Sequence, residues 1–316
     1  MNKPLLKKLI ALAAIFATPL CAETALAAET AAGNNAAATA TIKYAGSDFL
    51  SGDIENALKE NVAKAANAPA LEGEMIGSKS AVTQLRTGEC DFVLVMEKGD
   101  PKSLFSELAE GKWRAIPIAY LVSYVAVPRS NGVNEVSFYE LRGIFARYAE
   151  NHITKWENTG VKIYPILGSR ADSTANSFFQ AIVFPQSPFL AQIRNTENDE
   201  GALQEASSSH EAIVVVSAPI ASKFPTLKTL SVSEAQSPDE KKTAYSPTPA
   251  NIYNRDYPLS VPFYVVYPVE KRAKIIPVLR AIFSNEFAST LQAQNLVPVP
   301  ENIRENLKKS IDALGE

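Results

Sequence analysis

The chain has 316 residues, and 31 Lys and Arg against 34 Asp and Glu give it a formal charge of −3. That balance argues against nucleic acid as a partner, which needs a basic face, but not against a small anion, whose capture depends on local dipoles. Two cysteines and two histidines, His152 and His210, stand at no metal-ligand spacing, so neither a metal nor a cofactor is expected.

Lys3, Lys7 and Lys8 precede the apolar run 9–16, and Ala25-Leu26-Ala27 offers a small-residue cleavage site. This is the pattern of a secretory signal peptide over residues 1–27, its apolar run too short to span a bilayer. Thr18-Pro19-Leu20 lacks the small residue that a lipidation site wants before Cys21, so no lipid anchor is expected. Cleavage after Ala27 removes a net +2, leaves −5, and leaves Cys90 as the remaining cysteine. Core packing rather than an internal disulfide must then hold the fold. Residues 28–40 are nearly all Ala, Thr, Asn and Gly and read as a flexible lead-in. The expected location is periplasmic or secreted.

From residue 41 the pattern alternates strand and helix, as in α/β layers with largely parallel sheets. Residues 41–45 read as a strand, and Ile54, Leu58 and Val62 mark a helix over 52–66. A strand at 71–76, a helix at 80–87, a buried strand at 91–96 and a helix at 102–110 follow. Residues 116–127 form one long apolar stretch that could run from one domain into another. A helix at 137–145, a strand at 162–167, a helix at 174–182 and a buried strand at 212–216 come next. Residues 231–249, rich in Ser, Pro, Thr and charge, read as loop. A strand at 262–267 suits a return crossing, and helices at 271–283, 285–294 and 301–314 end the chain. Two crossings imply a discontinuous domain I (41–125 and 259–316) around an inserted domain II (126–258), with a cleft between them where small ligands bind.

The chemistry concentrates in three loops. In Ile163–Phe179 an apolar strand ends at Gly168, Arg170 and Asp172 follow, and Ser173, Thr174, Ala175 and Asn176 open a helix. A helix start presents unpaired N–H groups at the positive end of the helix dipole, and an arginine adds a fixed cationic fork. Gly46-Ser47-Asp48 and Gly77-Ser78-Lys79-Ser80 are built alike. Each residue also has an ordinary reading: Ser78, Thr174 and Asp48 as helix N-caps, Lys79 as a solvated lysine, Arg170 with Asp172 as a surface ion pair. Phe145, Tyr148 and Trp156 read as packing residues, Cys90 as a small buried hydrophobe, and the two histidines as loop residues.

Gly46-Ser47-Asp48-Phe49 and Gly77-Ser78-Lys79-Ser80-Ala81-Val82 resemble the first and second loops of the phosphate-binding proteins of ABC transporters. Ser137–Arg147 with Ile153-Thr154-Lys155-Trp156, the loop Arg170–Phe178, Tyr257-Pro258-Leu259 with Phe263-Tyr264-Val265, and Leu296–Pro300 follow in family order. The resemblance implies a type II periplasmic-binding-protein fold, and a non-enzymatic, monomeric receptor that captures a small oxyanion, phosphate foremost, for a membrane permease. It implies ligand contacts from Ser47, Asp48, Phe49, Ser78, Lys79, Arg170, Asp172, Thr174, Ala175 and Asn176, Asp172 orienting Arg170. The chain departs from the pattern at Asp48, where the family has threonine. It departs at Met96 and Glu97, where the family has a buried aspartate, and at Ser173, Ala175 and Asn176 in the glycine-rich fourth loop. Asp48 beside a protonated oxyanion could stand in for that aspartate. The same departures suit a second reading: the fold kept, the site altered or lost, and the protein a binding, sensory or protein-interaction module.

Overall fold

A computed structural model describes residues 41–65, 68–99, 105–157, 159–171, 173–219 and 223–313. The expected signal peptide, the lead-in and Asp172 lie outside the described residues, as do 102–104 of the helix expected at 102–110. In chain order the elements begin with β1 (Thr41–Gly46), α1 (Asp53–Ala63), β2 (Ala70–Met75), α2 (Ser78–Thr87), β3 (Phe92–Met96), α3 (Ser106–Ala109), β4 (Trp113–Val122) and β5 (Tyr124–Pro128). Then come β6 (Glu135–Ser137), α4 (Phe138–Phe145), β7 (Tyr164–Leu167), α5 (Thr174–Val183), β8 (Arg194–Asn195), α6 (Asp199–Ser207), β9 (Ala212–Val216), β10 (Leu227–Thr229) and β11 (Ser231–Ser233). The last are α7 (Pro249–Tyr253), β12 (Ser260–Pro268), α8 (Ile276–Ile282), α9 (Asn285–Ala293), β13 (Val297–Pro298) and α10 (Glu301–Asp312).

The first sheet has the order β13-β4-β12-β3-β1-β2, and the second β10-β5-β9-β7-β8. Parallel pairing holds around β1 and β7, and antiparallel strands complete each sheet on the side of the crossings. The first sheet is covered on both faces, and its strands sort their side chains by the two-residue period of a pleat. Phe92, Leu94, Phe263 and Val265 enter a cluster with α1, α8 and α9. Their neighbours Val93, Val95, Tyr264 and Val266 enter a cluster with α2 and Trp113. This two-sided burial is why these strands read as unbroken apolar runs.

The apolar stretch 116–127 forms two strands. Ser123 breaks it, so that β4 stays in the first sheet while β5 joins the second. The Ser123 amide donates to the Leu259 carbonyl (2.9 Å), and the buried Tyr257 hydroxyl donates to the Ser123 carbonyl (2.8 Å), so the outward and return crossings lie side by side. An apolar run cannot show such a break, because both halves are buried for different reasons.

Three expectations change. The segment 231–249 is not all loop: β11 pairs with β6, and Val232 bridges Tyr245. The helix expected at 271–283 begins only at Ile276, because Pro277 lacks an N–H and tolerates only the first turn. Tyr148 is 68% exposed, with the Arg147 guanidinium 5.8 Å from its ring centre, rather than packed inside. Phe145, Trp156 and Cys90 are buried as expected, and burial pushes the Cys90 thiol up to about 11, where it stays protonated.

Candidate functional site

Three loops meet at the carboxyl ends of the parallel strands β1, β2 and β3. The Ser47 amide donates to the Leu94 carbonyl (2.7 Å), and the Gly77 amide to the Gly46 carbonyl (2.9 Å). The Met96 amide donates to the Ser78 hydroxyl (3.0 Å), so the third loop hangs on the second. A Cβ at position 46 would stand 2.3 Å from the Met75 sulfur and 3.2 Å from the Leu94 carbonyl, so glycine lets the two strands' loops come this close without the methionine giving way. Gly77, at φ 96°, turns the chain into α2 without any side-chain cap, which leaves the first amides of that helix unclaimed by a capping side chain. Such an edge, outside the carboxyl ends of parallel strands, is where open α/β sheets bind ligands.

The expected residues take unequal places here. Ser47, not Asp48, caps the following 3-10 turn, its hydroxyl accepting from the Phe49 amide at 3.4 Å, so the cap reading of Asp48 is corrected. Asp48 itself is exposed, and the Phe49 ring lies 5.5 Å from that of Phe263. Ser78 is the first helical residue rather than the cap, and Lys79 is exposed. The buried aspartate of this part of the chain, Asp91, stands at the far end of β3, where Lys271 and Lys274 hold it.

The fourth loop follows β7 in the second sheet. Ser173 caps α5 by accepting from the Asn176 amide (3.3 Å), and Thr174 is again the first helical residue, not the cap. Arg170 and Thr174 are exposed, and Ala175 is half-buried. Asn176 is buried, and its side-chain amide donates to the carbonyls of Ser169 (3.1 Å) and Arg170 (3.0 Å). Its donors therefore fold the loop back on itself, a role the sequence reading had given to ligand. The next residue but one, Phe178, leaves the second sheet and packs against the first-sheet core that also holds Phe49 and Phe263. The start of α5 thus leans on the lobe that carries the other three loops.

Asp199 was missed. It opens α6, and one carboxylate oxygen accepts from the Ser217 amide (2.9 Å), the Ser217 hydroxyl (2.7 Å) and the Ala218 amide (2.7 Å). Burial raises its carboxyl, against the lowering effect of those hydrogen bonds. Asn198 as a cap before two acidic residues could have shown this unexpected helix, but nothing local signals where the carboxylate goes. Its second oxygen fills the space over Gly168, where a Cβ would stand 2.0 Å away, and 2.8 Å from Val216. Gly168→Ala must therefore expel the carboxylate and its three hydrogen bonds. A loss of about 2–3 kcal/mol is expected, read as a lowered midpoint in thermal denaturation.

Among the described residues no group of three or more His, Cys, Asp and Glu could hold a metal ion, and no helix is long and apolar enough to cross a membrane.

Residues 31–289 match the PBP superfamily domain. No curated protein is similar enough in sequence to count as a match. Among solved structures the fold is shared with a possible phosphate-binding protein from Planctomyces limnophilus, at a TM-score of 0.67 and 19% identity over 87% of this chain and 99% of that one. It is shared with PstS from Borrelia burgdorferi, at 0.65 and 15% over 83% and 99%. It is also shared with an ABC-type phosphate transport receptor from Vibrio cholerae, at 0.54 and 17% over 81% and 99%. The chain therefore belongs to the PBP superfamily, with the α/β, two-sheet fold of type II periplasmic binding proteins.

Proposed function

We propose that the protein is an extracytoplasmic receptor that captures a small oxyanion, phosphate foremost, for a membrane permease of an ABC transporter. The observation that carries this reading is the meeting of three hydrogen-bonded loops and an uncapped helix start at one strand edge. Among solved structures of the same fold, one is named a possible phosphate-binding protein and another an ABC-type phosphate transport receptor. The amides of Ser78 and Lys79 and the hydroxyls of Ser78 and Thr174 would donate to the anion, with Arg170 as the cation. Domain I (41–125 and 259–316) and domain II (126–258) would close around it by bending at the paired crossings near Ser123 and Leu259, a shift of population driven by contacts made in the closed form. Binding and release without covalent change need no catalytic group.

Isothermal titration with phosphate is expected to give a dissociation constant in the micromolar range or below. Arg170→Ala should weaken it about 30-fold or more, the loss of one charge-assisted contact of roughly 2 kcal/mol. An absence of binding and of thermal stabilisation by millimolar phosphate would instead favour the partner-binding or sensory module. The inward-turned amide of Asn176 and the methionine at the end of β3 are the observations on that side.

A further inference from the structure

Away from the loop edge, the outer strands of both sheets, β10 and β13, border one cavity of about 580 Å³. That size suits a small organic ligand. Leu227, Ile252 and Val297 make apolar wall, and Arg129 and Lys228 bring two cations to it. No acidic residue is among the described residues that line it. The cations are held by neutral groups: Arg129 donates to the Pro225 carbonyl (2.7 Å) and Lys228 to the Asn134 side-chain carbonyl (2.8 Å). Burial, then the charge of Arg129, lowers the Lys228 ammonium, as uncompensated like charges do. Tyr124, also in the wall, is only 6% exposed.

We propose that this cavity is a second binding site, distinct from the loop edge, for an organic monoanion with an apolar body, such as an aliphatic carboxylate. The carboxylate would take the positive field of Lys228 and Arg129, and the chain would cover the apolar wall. Because β10 belongs to the second sheet and β13 to the first, and Tyr124 follows the crossing at Ser123, an occupant would touch both sheets beside the crossing.

Octanoate is the probe, 1-octanol its neutral counterpart, and calorimetry of the full chain without phosphate the measurement. One octanoate per chain is expected. Binding should weaken about tenfold for 1-octanol and about tenfold in Lys228→Met, the loss of one charge-assisted contact. Thr229→Trp, at an exposed position on the rim, should block binding, with melting curves confirming that both variants are folded. No binding up to about 5 mM octanoate, a range that covers weak ligands, would overturn the proposal. So would equal binding by both folded variants and the parent, or stoichiometric displacement by phosphate. The first two outcomes do not depend on whether the loop edge binds phosphate.

Discussion

Asp91→Ala is expected to cost about 3 kcal/mol of stability, the lower end of what removing one partner from a buried ion pair costs. Asp91 is 3% exposed. Its oxygens accept from Lys271 (2.8 Å), Lys274 (2.6 Å) and the Lys43 amide (2.9 Å), which joins β1, β3 and the segment before α8 at one point. The lysine side chains are 36% and 40% exposed, so when orphaned they reach water, and the cost stays near the lower bound. For a chain of this size a midpoint lower by roughly 6–10 °C should follow. Burial alone would raise the Asp91 carboxyl, but the hydrogen bonds from Lys271, Lys274 and the Lys43 amide outweigh it and hold the group below its usual range. The folded protein thus binds this proton less readily than the unfolded chain. The contribution is complete above the unfolded pKa of about 3.9 and fades as pH falls through the lower folded value. Asp91→Asn should flatten that acid limb of the stability curve. Phosphate affinity should not change at a temperature where the variant is folded, because Asp91 sits at the opposite end of β3 from the loops. An unaltered acid limb in Asp91→Asn would show that the group is not held as described.

What could be read from the chain depended on whether the deciding physics was local. β3, β9 and β12 were legible because double-sided burial writes long apolar runs into them. Helix α4, expected at 137–145, opens with a local signal, the Ser137–Glu140 capping box. By contrast β8 and β13 are two residues long and β10 three, too short for any period to show. They exist because an edge of each sheet offers unpaired backbone groups. The loops behave alike. Gly46 and Gly168 correctly marked where strands end, and Gly77 the positive-φ turn into α2. The depth of Asp199 is set by Ser217, 18 residues further on, and the direction of the Asn176 amide by the way its loop turns back to the carbonyls of Ser169 and Arg170. No spacing rule along the chain reports such partners.

Phe179→Ala and Phe178→Ala, adjacent on α5, are expected to do different things. Phe179 is fully buried at the centre of an aromatic group. Its ring meets Phe145 edge-on at 5.5 Å and Phe184 edge-on at 5.8 Å, and stacks on Phe189 at 6.3 Å. Its removal leaves a cavity bounded by rigid rings that cannot collapse, at a cost of about 4 kcal/mol. The thermal midpoint should fall by roughly 10 °C. Since α5 carries the fourth loop, phosphate should restore part of the lost stability by mass action if the loop still binds. Phe178 is half-buried and packs against the first-sheet core, across from the sheet that supports its own helix. Truncating it should cost only about 1 kcal/mol in thermal denaturation, in proportion to its smaller buried area. It should nonetheless weaken phosphate about tenfold, because the contact helps the arrangement in which the fourth loop leans on the other three. The two readouts separate the roles: large stability loss with near-normal affinity for the folded Phe179→Ala, small stability loss with weakened affinity for Phe178→Ala. Equal stability losses, with affinity untouched in both, would mean that the contact made by Phe178 is packing alone and that closure, if it occurs, is driven from elsewhere.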